Sequence, residues 1–573
     1  MGPEDTAGAE ITGGEAGMSV TGGADDALTS GESATGGVSD GGSHSNPSNP
    51  VYHADVMPIL ERACIHCHTE GGAGLFDLRG YENASMWGPA IVEATQSLRM
   101  PPWGAFETET CTPSRPWRED QRLSEEELST LAEWVAAGSP EGDVAHSGPV
   151  TPFIPHELER VDFEGRAQAS VDVPAGDDSF ICVIIDPELT EETWLRGIEF
   201  IPDNEALVHH VVLFTDPNRA SLELADDSGV YPCFGSPRVP GTVAAAWAPG
   251  IQPNVLPVDH AMRIQAGTLF VMQMHYSPQG GADELRDQTT VRFQYADEPP
   301  RYEAYLQLMG NLDFTIHPAL GLQPSPEDVD AGLDPSFVIP AGAQDHVETI
   351  RWTYSGNLPG GLDGGGPEGL NQLRLLSISP HMHYAGVGME VHLDRPAPGE
   401  GACAPGSLTG FFACAASQGC LDSENPLECF QEKCTPQWDN LSLSCWGCAH
   451  QVFVSDAPRD EATAMISACE RPDMTREALS GEPANECLVS APRYDFEWQR
   501  SYRYDVEISE LPTFIPGDVL SIECHYQNSL ENPQMRAALS RAGQTAPQEV
   551  RLGEETLDEM CLVGLLFSFE RPN

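Results

Sequence analysis

The chain has 573 residues, of which 88 are Asp or Glu and 29 are Lys or Arg, giving a formal charge of -59 at pH 7. That length exceeds what one hydrophobic core serves and implies three or four domains of ordinary size. So acidic a chain repels phosphate backbones and anionic lipid heads, which argues against nucleic acid and membrane surfaces as partners, and it contains no run of 18 apolar residues to span a bilayer.

Sixteen cysteines are many for a cytosolic chain, and nine of them crowd into residues 403–487 at irregular spacings. Such crowding reads as a disulfide framework formed in an oxidising compartment, periplasmic or extracellular. A zinc cluster at Cys445 and Cys448 is the rival, but no second close pair with matching spacing lies nearby. The opening "MGPEDTAGAEITGG" lacks the basic and apolar regions of a secretory signal, so the expectation is that a leader is missing from this chain.

Residues 1–50 are rich in Gly, Ser, Thr, Asp and Glu, hold no Lys, Arg or aromatic residue, and predict a disordered acidic tether. From 51 to 147 the pattern turns helical. "ADVMPILERACIHCH" carries apolar residues at helical spacing, and "LSEEELSTLAEWVAAGSPEGD" has a capping serine, an acidic first turn, an apolar stripe and a Gly-Ser-Pro stop. This predicts a small all-α domain.

Within it, Cys64 and Cys67 are three apart and His68 follows at once, the spacing that attaches a c-type haem through two thioethers with the histidine as axial ligand. A lone motif of this kind also arises as a redox pair or half a zinc site. Met100, in "LRMPPW", is the expected sixth ligand because two prolines stiffen the returning loop; Met86 is its rival. The segment resembles the small cytochrome c domains appended to other periplasmic redox modules.

Beyond residue 160 the texture changes to short strand-like runs, "SFICVIID", "HHVVLF", "GTLFVMQMHY", "LRLLSISPHMHY" and "VLSIECHY", separated by Gly, Pro and Asp, which predicts β-sandwiches. Histidines recur in these runs: His209 and His210 in "ALVHHVVLF", His275 in "VMQMHYSP", and His381 with His383 in "SPHMHYAG". In an extended strand the last two leave the same face and can grip one ion, although an alternating strand also places paired polar residues on a solvated face. Near the C-terminus "ETLDEMCLVGLLF" supplies Met560, whose soft thioether favours Cu(I).

Together these motifs resemble the copper type II, ascorbate-dependent monooxygenases, the family of peptidylglycine alpha-hydroxylating monooxygenase and dopamine beta-hydroxylase. The resemblance covers about residues 160–395 and 495–567 and rests on the ordered set H-H, H-Y, H-x-H and D-E-M-C, supported by "AAAWAPG" at 244–250 and "GDVLSIECHYQNS" at 517–529. It implies a multidomain fold: the all-α cytochrome c domain (51–147), then two all-β jelly-roll sandwich domains (160–299 and 300–573), with a disulfide-rich insertion (397–495) in the second. It implies two copper ions, with His209, His210 and His275 on an electron-transfer copper and His381, His383 and Met560 on an O2-activating copper. It further implies hydroxylation of a C–H bond of a small organic substrate, with ascorbate or another electron donor as co-substrate. By the same resemblance Cys182 pairs with Cys233 and Cys524 with Cys561. Ten cysteines remain outside the haem motif and these pairs, so Cys111 either joins the cytochrome domain to the insertion or stays a free thiol.

The chain also departs from that family. In the peptide-hydroxylating branch an arginine that holds the substrate carboxylate stands where this chain has Ser379, and an Asn and a Tyr stand where it has Leu562 and Gly564. A C-terminal glycine peptide is therefore an unfitting substrate. The position of the insertion, in the second sandwich domain after the H-x-H strand, favours a lid over a surface module. His525, next to Cys524, is expected to face outward and is given no role. The attached haem suggests an internal electron source for the first copper, and the competing reading is a copper and haem carrier that turns over no substrate.

Overall fold

A computed structural model describes residues 49–573 apart from 70–73, 75, 151–156, 175–178, 206, 234–235, 250, 277–284, 312–336, 355, 357, 359–366, 368, 396–402, 404–406, 421–425, 439–440, 442–444, 446–468, 470–483, 554–556 and 572–573. The expected tether lies almost wholly outside the described residues. No described helix is long and apolar enough to cross a membrane.

Helices dominate the N-terminal part. Met57–Ala63, Tyr81–Gln96 and Glu125–Ala136 bury Leu60, Ala84, Leu131 and Trp134 around one small core. The last helix starts where the sequence says it should: Ser124 accepts from the Glu127 N–H while the Glu127 carboxylate accepts from the Ser124 N–H, and Gly138 at φ 85° takes the left-handed turn beyond its end.

The segment between the second and third helices departs from the single helical domain that the pattern predicts. Residues 103–118 run as an irregular strap whose Trp103, Ala105 and Trp117 are buried in the core of the C-terminal β unit. Trp117 stacks on Tyr504 with ring centroids 4.9 Å apart, the Phe106 N–H donates to the Ser490 carbonyl, and Cys111 is disulfide-bonded to Cys487. Nothing in the local sequence betrays this, because the apolar partners of the strap lie about 380 residues away.

The rest of the chain is β-sheet. A five-stranded sheet, ordered Val230–Pro232, Ser179–Ile185, Leu269–Tyr276, Val208–Asp216, Val243–Trp247, packs on strands Thr193–Ile201, His260–Ile264 and Thr290–Tyr295 around Val183, Leu213, Phe270 and Phe293. Its central strand Leu269–Tyr276 is buried along its whole length, which is why it reads as a mostly apolar run, broken by Gln273 and His275, rather than an alternation. A second sandwich sets the four strands His346–Thr353, Val519–Tyr526, Gly386–Asp394 and Asn485–Ala491 against Tyr302–Gly310, Leu562–Glu570 and Leu373–His381. The two sandwiches share one ten-stranded sheet, joined where Tyr302 and Glu303 pair in parallel with His260 and Ala261.

Six disulfides lie among the described residues: Cys111–Cys487, Cys182–Cys233, Cys403–Cys445, Cys414–Cys434, Cys420–Cys429 and Cys524–Cys561. Cys445 is thereby no zinc ligand, and Cys448 lies outside the described residues. The cysteine-rich insertion has its own small core of Leu408, Phe411 and Phe430. Residues 485–491, expected within it, form a full strand of the second sandwich instead.

Candidate metal centres

Consecutive residues of a strand normally face opposite ways, yet His209 and His210 converge. The reason is a β-bulge: Tyr276 pairs with Val208 while the preceding His275 pairs with His210, so His209 is the extra residue and both imidazoles emerge on one side. The three Nδ1 atoms form a triangle, 3.2 Å between His209 and His210, 3.1 Å between His209 and His275, and 3.4 Å between His275 and His210. With metal–nitrogen bonds of about 2.0 Å, tetrahedral ligands sit roughly 3.3 Å apart, so the triangle suits a bound cation without rearrangement. Phe180, the register partner of His275, stacks on its ring at 4.3 Å and 7°. Burial, reinforced by the surrounding imidazoles of His275, His209, His381 and His383, holds His210 well below the usual histidine pKa and so in the neutral, ligating form.

His381 ends the strand Leu373–His381 and His383 follows in the turn, their ring centroids 5.4 Å apart. The backbone between them is clamped: the Met382 N–H donates to the Tyr494 hydroxyl at 2.9 Å and that hydroxyl donates to the Met382 carbonyl at 2.5 Å. Each ring has its tautomer set. His383 Nδ1 lies 2.9 Å from the Asp558 carbonyl, which only accepts, so Nδ1 donates and Nε2 carries the lone pair. His381 Nδ1 lies 2.7 Å from Gln499 Oε1, an orientation fixed because Gln499 Nε2 donates to the Phe496 carbonyl at 3.2 Å. The neighbouring Glu559 carboxylate accepts from the His383 N–H at 2.8 Å, and the Tyr526 hydroxyl donating to the Met560 carbonyl at 2.9 Å adds a further tie.

His210 from the first set and His381, His383 and Met560 from the second line one cavity of about 340 Å³. A single phenyl ring lies between the two sets: Phe496 is stacked 6.3 Å from His209 and sits edge-on 5.8 Å from His383. Ser379 and Gly564, paired across the sheet, and Leu562 also face this space. No described residue of the 403–469 core reaches it; part of the wall comes from residues 496–503, just after the insertion. His525, given no role, is half-exposed beside Glu523 at 3.0 Å.

At the third motif, Cys64 and Cys67 are the cysteines without a disulfide among the described residues. Burial pushes the Cys64 thiol up to about 12 and raises Cys67. His68 Nδ1 lies 3.2 Å from the Phe76 carbonyl, which again leaves the lone pair on Nε2, and burial lowers its pKa. Cys64, Cys67 and His68 are the residues that would hold a covalently attached haem, the thiols as thioethers and the imidazole through Nε2. Met86 is 67% exposed, whereas Met100 is half-buried in the bend after Tyr81–Gln96, with its N–H donating to the Ala94 carbonyl at 3.1 Å.

A second cluster of metal-binding residue types, Cys111 with Glu390 and His392, is no thiolate site because Cys111 is in a disulfide. No protein-family model matches the chain, and no curated protein matches it. The motifs alone did not point to Phe496, Gln499 or Arg500, and Glu559, although inside the D-E-M-C motif, was given no role. For the first three the available signal was compositional: "RYDFEWQRSYRY" at 493–504 is dense in arginine and aromatics within an acidic chain.

Proposed function

We propose that this protein is a periplasmic or extracellular copper-dependent monooxygenase with a fused c-type haem, of the ascorbate-dependent copper type II kind, built from two jelly-roll domains behind a cytochrome c domain. The observation that carries the reading is the pairing of two unlike ligand sets at one cavity: three imidazoles converging through Nδ1, and two imidazoles whose Nδ1 atoms are held by acceptors, on a cavity that Met560 also lines. Imidazoles alone suit either copper oxidation state, and a thioether favours the reduced one. Copper, when bound, supplies one-electron redox steps and O2 activation for the overall conversion R–H + O2 + 2e⁻ + 2H⁺ → R–OH + H2O.

The protein's own part is orientation and shelter. Gln499 and the Asp558 carbonyl hold the two imidazoles in a single tautomer. The apolar walls around Val211, Trp247 and Leu308 exclude water from the reacting C–H bond, and Phe496 fills the space between the two sets. Ascorbate, or electrons entering at the Cys64–His68 motif, would serve as reductant. The test is copper and haem content together with product-linked O2 uptake, comparing wild type with Met560→Ala. Two coppers, one haem and coupled uptake abolished by the substitution support the reading. Copper binding with no coupled product overturns it in favour of a carrier.

A further inference from the structure

The cavity wall inverts the charge of the chain. Acids outnumber bases 88 to 29 overall, yet the described lining residues include Arg196, Arg500 and Arg503 and no Asp or Glu. Most of the remaining wall is apolar, with Phe214, Trp247 and Leu306 among it. Arg196 is neutralised by Glu159 at 3.2 Å. The other two guanidinium groups hydrogen-bond to neutral amides, Arg500 to Gln121 Oε1 at 3.3 Å while lying 5.5 Å over the Trp103 ring, and Arg503 to Asn254 Oδ1 at 2.6 Å; the Glu119 carboxylate, which is not among the described lining residues, acts on both through space.

Arginine stays charged where lysine would lose its proton, and only one of the 29 basic residues is lysine. Burial brings Arg503 down to about 10, which leaves it cationic at neutral pH. Among the described lining residues no carboxylate faces these two cations, so an acid group on a ligand would add a counter-charge from the cavity side to the one Glu119 supplies from outside the lining.

We propose that the cavity binds an amphiphilic carboxylate, its acid group paired with Arg500 in the positive field of Arg503 and its apolar body laid along the aliphatic wall. This rests on the reading of the cavity as an oxygenase substrate site, and it names the class of substrate. Arg500 stands beside Gln499, which holds His381, so a carboxylate there fixes the ligand against the second set. The same chemistry could come from a propionate of a haem attached at Cys64 and Cys67, because Gln121, the partner of Arg500, also contacts His66 at 3.3 Å.

The experiment is calorimetric titration of the full chain, with and without attached haem, using decanoate, decanol and decylamine, with copper content measured on the same samples. The expected result is decanoate binding to the haem-bearing chain at least roughly tenfold tighter than decanol, with no binding of decylamine. Arg500→Gln should remove that preference while decanol binding stays, and Arg500→Lys should restore part of it. Equal affinity for decanoate and decanol, decanoate affinity unchanged in Arg500→Gln, or decanoate binding confined to haem-free protein would each overturn the proposal. Because the wild-type comparison of the three ligands needs no variant, a misfolded substitution does not rescue it. Decanoate preference in a chain that takes up no copper would sink the oxygenase reading alone; two bound coppers without that preference would sink the carboxylate site alone.

Discussion

Glu559 allows the ligand scaffold to be tested quantitatively. Its side chain is fully buried and accepts four backbone N–H groups, Oε2 from His383 at 2.8 Å and Met560 at 3.0 Å, and Oε1 from Ala385 at 2.7 Å and Gly386 at 3.0 Å. Burial outweighs these bonds and raises its pKa from 4.5 to about 7. In metal-free protein the folded pKa therefore exceeds the unfolded one. Below the unfolded value both states are protonated and ionisation costs nothing; between the two values the cost accrues, and above the folded value it is complete. At 1.36 kcal/mol per unit the full cost is roughly 3 kcal/mol. Glutamine does not titrate, so the stability difference between wild type and Glu559→Gln should shift by roughly 3 kcal/mol against wild type from about pH 4.5 to about pH 8. Denaturant unfolding of both metal-free proteins at several pH values measures it. A difference that stays constant across that window refutes the reasoning. Added copper should flatten the dependence, because a cation at His383 and Met560 favours the ionised carboxylate.

Gln499→Leu removes the acceptor that orients His381 and should weaken copper at the second set by about 10–100-fold in chelator competition, leaving the His209 set unchanged. Cys487→Ser breaks the bond to Cys111 and should cost roughly 2–5 kcal/mol, with new protease cleavage appearing in residues 103–118. Because burial holds His210 well below the ordinary histidine pKa, protons compete with metal there only at lower pH; copper at the first set should persist as pH falls to about 5.5, measured by metal release, where an ordinary imidazole of pKa about 6.5 would be mostly protonated.

The β-rich architecture was legible in the sequence because its strands are short apolar runs bounded by turn residues, and the N-terminal helices because Ser124 and Glu127 cap one of them as their spacing implies. The disulfide character followed from cysteine density, and the structure contains the Cys182–Cys233 and Cys524–Cys561 pairs expected from the family resemblance. What the spacing could not reveal was non-local. The bulge that turns His209 and His210 to one side depends on the register against Leu269–Tyr276. The strap at 103–118 is decided by Tyr502, Tyr504 and Cys487, and the partners that orient His381 and His383 come from residues 499 and 558.

The strap would also fix where an electron donor attached at the Cys64–His68 motif sits. A cytochrome module on a flexible linker would meet its acceptor by diffusion within a tethered volume. Here the chain leaving the second helix is sewn into the second sandwich by two buried tryptophans, a disulfide and the hydrogen bonds of Thr108 and Thr110 to Glu390. The returning residues then bring Gln121 against both His66 and Arg500. The Arg500 charge acts on Cys67 and His66 from one side, and Glu205, in the turn leading to His209, acts on Cys67 from another. The Cys64–His68 segment is therefore held against the seam of the two sandwiches, at the wall of the cavity that both ligand sets line. An electron donor attached there would work at a fixed distance, and its transfer rate would be independent of protein concentration.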